Sequence, residues 1–119
     1  MAFNAAKTAD RVKGHLKADE ELYGTFPVCR REPGGLSYYV PTGVIAVTDR
    51  STLLFKCWPY TFIVHKLVLR ARPQTFPVDY FARFSRLVVG DGYDQGAVVW
   101  VGRSKYQVVE EAASPHGRP

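Results

Sequence analysis

The most constraining feature of this sequence is a pair of short apolar runs around a turn. Val44-Ile45-Ala46-Val47-Thr48 is β-branched and apolar, Asp49-Arg50-Ser51 is turn-forming, and Thr52-Leu53-Leu54-Phe55-Lys56-Cys57-Trp58 is apolar again. Runs this short are strand-length rather than helix-length. β-branched side chains pack well on a pleated surface. Two such runs joined by a few turn residues fold back as an antiparallel hairpin. A lone hairpin is barely stable in water, so the rest of the chain has to supply further strands to cover it.

The chain offers those strands. Leu22, Tyr23, Phe26 and Val28 suggest a first one, with Gly24 as a bulge and Pro27 favouring a sheet edge. Arg30-Arg31-Glu32-Pro33-Gly34-Gly35 is a loop by composition. Residues 36–40 are aromatic and apolar, and Pro41-Thr42-Gly43 interrupts them. Residues 60–64 and 66–69 continue the strand pattern, while Pro73 and Pro77 limit pairing around them. Residues 78–84 fit either a short strand or one helical turn. Leu87-Val88-Val89 and residues 97–101 are strands around a glycine-rich turn at 90–96. Gly102-Arg103-Ser104-Lys105 is a tight turn, Tyr106-Gln107-Val108-Val109 a last strand, and 114–119 a frayed end.

Before the strands, Ala5, Ala9, Val12 and Leu16 recur at helical spacing behind a candidate N-cap, Asn4. The stripe is thin and predicts a helix resting on a surface. The organisation predicted is an N-terminal helix over 1–18, a β domain over 19–111 and a flexible tail over 112–119. Short strands with turn signals about every 8–12 residues suggest an antiparallel barrel or sandwich. A barrel also removes exposed edges.

The length of 119 residues suits one domain with one core. No stretch approaches the ~20 apolar residues that span a bilayer. The first residues lack the basic and apolar regions of a secretory signal, so the expected location is cytoplasmic. The net charge of +5 and pI of about 9.4 permit nucleic acid, anionic lipid or an acidic protein as partner, and demand none of them. Cys29 and Cys57 could form one disulfide in an oxidising compartment, but a single pair is no framework and reads as two reduced thiols.

Chemistry-bearing patterns are scarce. Cys29, Cys57, His15, His65 and His116 stand singly, without metal-ligand spacing. Gly90-Asp91-Gly92 is followed by an apolar strand rather than a helix, which makes it a hairpin turn and not a phosphate loop. Asp91 and Asp94 lack the further oxygen ligands of a calcium loop. His65 lies among strand residues without a recognisable nucleophile. Glu20 and Glu21 read as a solvated step before the first strand. No catalytic residue, metal or cofactor is expected.

Two positive signals remain. Between residues 61 and 90 the chain carries five basic residues, Lys66, Arg70, Arg72, Arg83 and Arg86, against one acid, Asp79. Lys66, Arg70 and Arg72 are spaced by even numbers, so on a strand they can share one face. Such a face attracts phosphates; it is also how a half-buried sheet stays soluble. Tyr38, Tyr39, Trp58, Tyr60 and Phe62 form an aromatic group. They can fill the core or brace its rim, stack bases, or form a partner site.

The run Thr42-Gly43-Val44-Ile45-Ala46-Val47-Thr48-Asp49-Arg50-Ser51-Thr52-Leu53-Leu54-Phe55 resembles the hairpin of bacterial pleckstrin-homology-like and GRAM-like domains. There a glycine precedes an apolar strand ending in Thr-Asp/Asn-Arg, and an apolar strand returns. Asp19-Glu20-Glu21-Leu22 resembles the acidic lead-in to the first strand of such domains. Phe76-Pro77-Val78-Asp79-Tyr80-Phe81-Ala82-Arg83-Phe84 is similar to their mid-domain segment, and 97–109 to their closing strands. The likeness spans roughly 19–110. It implies a mainly β, partly open antiparallel barrel that binds anionic lipid headgroups, peptides or proteins. The family usually ends in a helix capping one barrel opening; 111–115 leave little room for it, and the N-terminal helix is the element available instead.

The expected function is therefore a non-catalytic binding module, first a protein-interaction adaptor or accessory subunit with a protein or a second copy as partner. The alternatives are an anionic-lipid binder using Lys66, Arg70, Arg72, Arg83 and Arg86, and a single-stranded nucleic-acid binder stacking bases on Tyr38, Tyr39 and Trp58.

Overall fold

The central hairpin forms. In the structure, a computed structural model describing residues 5–31, 41–58, 63–90 and 96–117, β2 (Gly43–Thr48) and β3 (Thr52–Cys57) pair antiparallel, with Ile45 opposite Leu54 and Val47 opposite Thr52. β1 (Leu22–Val28) adds to β2, and β4 (Val64–Ala71) adds to β3, giving a sheet ordered β1-β2-β3-β4. β5 (Phe84–Val89) and β6 (Ala97–Gly102) form a second antiparallel pair. Pro27 lies on β1 at the sheet's edge, and the register slips between Leu22 and Gly24, both as expected.

The fold is mainly β: among the described residues there are antiparallel sheets of four and two strands and two helices, and these strands do not close a barrel. The sheets meet where Cys29 and Trp100 exchange backbone hydrogen bonds of 2.7 and 2.9 Å. On the other side β4 and β5 do not pair. There the Gln74 amide donates from Nε2 to the Val88 carbonyl at 2.7 Å and accepts the Gly90 N–H on Oε1 at 2.9 Å. Pro73 and Pro77 in the same connection cannot donate to a ladder.

β2 and β3 read as continuous apolar runs because both faces of the sheet are covered. Ile45, Val47 and Leu54 turn inward to a core shared with Phe26, Phe76, Leu87, Val99, Val101 and Tyr106. Ala46, Leu53 and Phe55 turn outward against Val12 of α1 (Ala5–Lys13) and against Leu16 beyond it. The N-terminal helix thus rests on a sheet face, as its thin stripe predicts. It stops at Lys13, before Gly14; the proposed cap Asn4 and the strand proposed at 36–40 lie outside the described residues. Residues 78–84 resolve as a turn at 80–81 leading into β5.

The end of the chain differs from the sequence reading. Tyr106–Val109 is not a closing strand; it opens the helix α2 (Tyr106–Gly117), which follows a 3₁₀ turn at Arg103–Lys105 and runs through much of the expected tail. Tyr106, Val109 and Ala112 are buried at three-residue spacing while Gln107, Glu110 and Glu111 are exposed, a helical period masked by the β-propensity of Tyr and Val. α2 packs against β1 so closely that a Cβ on Gly24 would lie 2.9 Å from Ala112 Cβ. Gly24→Ala is therefore expected to cost about 1–3 kcal/mol through overpacking, read as a lowered midpoint of urea unfolding.

Candidate functional site

The Thr48-Asp49-Arg50-Ser51 turn is held by its own threonine. Thr48 Oγ1 accepts the N–H groups of Arg50 at 3.2 Å and Ser51 at 2.9 Å, and donates to Glu20 Oε2 at 2.6 Å. Asp49 exchanges two further bonds with Glu21: its N–H reaches the Glu21 carbonyl at 3.0 Å, and its Oδ1 accepts the Glu21 N–H at 2.9 Å. Glu20 also accepts the Lys17 N–H at 3.1 Å and two bonds from Arg70 Nη1 at 3.1 and 3.2 Å. Arg70 adds bonds to Ser51 Oγ at 2.9 Å and to the His15 carbonyl at 3.3 Å. Glu20 is thus no solvated step, because its side chain has 0 % exposure. Burial acts to raise its pKa, but the bonds from Thr48, Lys17, Arg70 and Ser51 outweigh burial and bring it from 4.5 to about 2.

This corner forms one wall of a cleft of about 590 Å³ lined by Arg50, Ser51, Arg70, Arg72, Gln74 and Gly90 among others. Of the predicted basic face, Arg70 and Arg72 are here, joined by Arg50, which the sequence reading left out. Lys66 is elsewhere. The β3–β4 register slips at Val68, so Lys66 stands opposite Lys56 on one face and Arg70 opposite Leu53 on the other. Even spacing fails as a guide when a bulge intervenes. Arg86 lies on the outer side of β5 opposite Trp100, and Arg83 sits before that strand, its guanidinium 5.9 Å from the Phe84 ring centroid. The five predicted cations do not share one surface.

Of the predicted aromatic group, Tyr38, Tyr39, Tyr60 and Phe62 lie outside the described residues. Trp58 is 53 % exposed and stacks on His65 at 4.7 Å and 15°. The Trp58 backbone N–H donates to the Ile63 carbonyl at 3.1 Å, and exposed Val68 follows along β4. The sequence reading also missed Phe81, whose side chain stands in solvent; the sequence marks it only as a second aromatic behind the turn-former Asp79.

Cys29 and Cys57 are buried and not joined in a disulfide, and burial pushes the Cys57 thiol up to about 11. Among the described residues no His, Cys, Asp and Glu group is placed to hold a metal, and no helix is long and apolar enough to cross a membrane. No protein-family model, curated protein or solved structure matches this chain.

Two outcomes follow from this chemistry. The Glu20 pKa is lowered by folding, so its contribution, about 3 kcal/mol, is present above pH 4.5 and lost as pH falls toward 2. Glu20→Gln should lower stability at pH 7 and flatten that acid limb, measured by urea melts across pH. A thiol reagent at pH 8 should leave both cysteines unmodified in the folded chain and label both after denaturation.

Proposed function

We propose that this chain is a non-catalytic, pleckstrin-homology-like binding module acting in the cytoplasm as a protein-interaction adaptor or accessory subunit. The Thr-Asp-Arg hairpin, the two antiparallel sheets and a C-terminal helix packed on β1 support the family resemblance. Two buried cysteines that form no disulfide fit a reducing compartment.

The observation that carries the reading is edge strand β4 with its apolar neighbours. β4 pairs only with β3 among the described strands, and Trp58, Ile63 and Val68 beside or on it are 53 %, 42 % and 40 % exposed. An incoming extended segment gains affinity from main-chain bonds at such an edge and specificity from the side chains along it. A tagged chain recovered from its source cells should retain one stoichiometric protein. Val68→Asp should reduce that recovery at least ~10-fold without lowering the melting temperature, since a charge in the contact opposes desolvation. Equal recovery by both forms would sink the reading.

A second reading has its own support in the cleft lined by Arg50, Arg70 and Arg72, where Arg70 is paired with Glu20 and Arg50 with Asp49, so that Arg72 leads in meeting an anionic headgroup. It expects sedimentation with phosphatidylserine vesicles at low salt, weakening as salt rises and lost in Arg72→Glu. No sedimentation at low salt removes it.

A further inference from the structure

Phe81 is 95 % exposed, the most of any large apolar side chain among the described residues, and Tyr80 beside it is 51 % exposed. Surface loops carrying such residues are ordinarily mobile. Here the backbone beneath the phenyl ring is fastened from several sides. Asp79 Oδ1 accepts the Phe81 N–H at 3.0 Å, and the Asp79 carbonyl accepts the Ala82 N–H at 3.0 Å. The Asp79 N–H in turn donates to Ser85 Oγ at 2.9 Å.

The far side is held by the 3₁₀ turn at Arg103–Lys105 and by the first residue of α2. Arg103 donates from Nη2 to the Phe81 carbonyl at 2.9 Å and from Nε to the Ala82 carbonyl at 3.2 Å. The buried Tyr106 donates its hydroxyl to the same Ala82 carbonyl at 2.9 Å. The Tyr80 ring meets the Tyr106 ring edge-on at 5.6 Å. The chain has ordered the backbone of this turn and left its largest apolar group unburied. The fold gains nothing from that phenyl, while a partner that covers it finds the ordering cost already met.

We infer that Phe81 is a preorganised anchor that seats in an apolar pocket of a separate protein, a pocket whose rim carries charges of both signs. The inference rests on the binding-module reading and adds a second contact surface to it. The charges around the tip decide the class of occupant. Arg83 and Arg103 are balanced by Asp79 and Glu110, so the tip has no net attraction for an anionic membrane. One inserted phenyl without that attraction is a weak membrane anchor. Of the described clefts, one sets Arg50, Arg70 and Arg72 beside Ala71 and Pro73 and the other sets Lys13, Lys17 and Glu21 beside Leu16 and Leu22, so neither gives a second copy of this chain a wholly apolar socket for a phenyl ring. Aromatic anchors in well-packed pockets are the usual centres of protein interfaces.

The test places photoreactive benzoylphenylalanine at position 81 of the full chain in its source cells, with the same probe at position 68 for comparison. Irradiation should join position 81 to one other protein, at residues lining an apolar pocket. With that protein purified, Phe81→Ala should weaken binding about 30-fold, the scale of a hot spot, and leave the melting temperature unchanged. An adduct to lipid, an adduct to a second copy of this chain, no adduct at 81, or an unchanged affinity for Phe81→Ala each overturns the proposal. A protein adduct from position 68 but not from 81 rejects the anchor alone. Adducts from neither position reject the adaptor reading as well.

Discussion

A carboxylate with no exposed surface, that of Glu20, ties together three parts of the chain that are distant in sequence. It takes hydrogen bonds from the segment after α1, from the β2–β3 turn and from β4. A buried charge is tolerated only when its lone pairs are occupied, and here they are. The same Thr48 hydroxyl that donates to Glu20 also accepts the turn's amides. A one-residue slip of the hairpin would break both sets of bonds and turn the Ile45 and Val47 side chains out of the core, so this contact fixes register as well as position. It also reaches the cleft: Arg70, held by Glu20 and Ser51, lines it together with Arg50 and Arg72.

The central sheet was legible because its signal is local. Val44 to Thr48 and Thr52 to Cys57 are apolar on both faces, and a three-residue polar turn separates them. The bulge at Gly24, the edge position of Pro27 and the helix lying on a sheet face follow from residue types at single positions. α2 was not legible for the opposite reason. Tyr106, Val108 and Val109 carry β-propensity, and what turns them into a helix is tertiary: a hydroxyl bond from Tyr106 to Ala82 and the packing of Ala112 against Gly24. α2 is thus the helix that local propensity concealed, and the N-terminal helix lies on the outer sheet face.

The candidate site was less legible than the fold. Charge spacing grouped Lys66 with Arg70, but the slip at Val68 separates them, and no residue type announces that slip. Arg50 was hidden inside a turn motif. Glu20 looked like surface because acidic residues before a strand usually are; its burial depends on Thr48 and Arg70, far along the chain. Phe81 was hidden differently. It sits in a segment rich in aromatics, one of which, Phe76, serves the core, and nothing in the residue types tells the two apart.

The Gln74 amide has a consequence for how this molecule avoids sticking to itself. An unpaired strand invites another chain to extend the sheet indefinitely. At the Val88–Gly90 end of β5, a side chain donates and accepts as a neighbouring backbone would, so a newcomer has to evict it before it can dock. β4 is guarded otherwise, by two kinks in its ladder and by cations along its length. One margin is thus plugged by a side chain, and the other is bent and charged, each a different obstacle to stacking copies into a fibre.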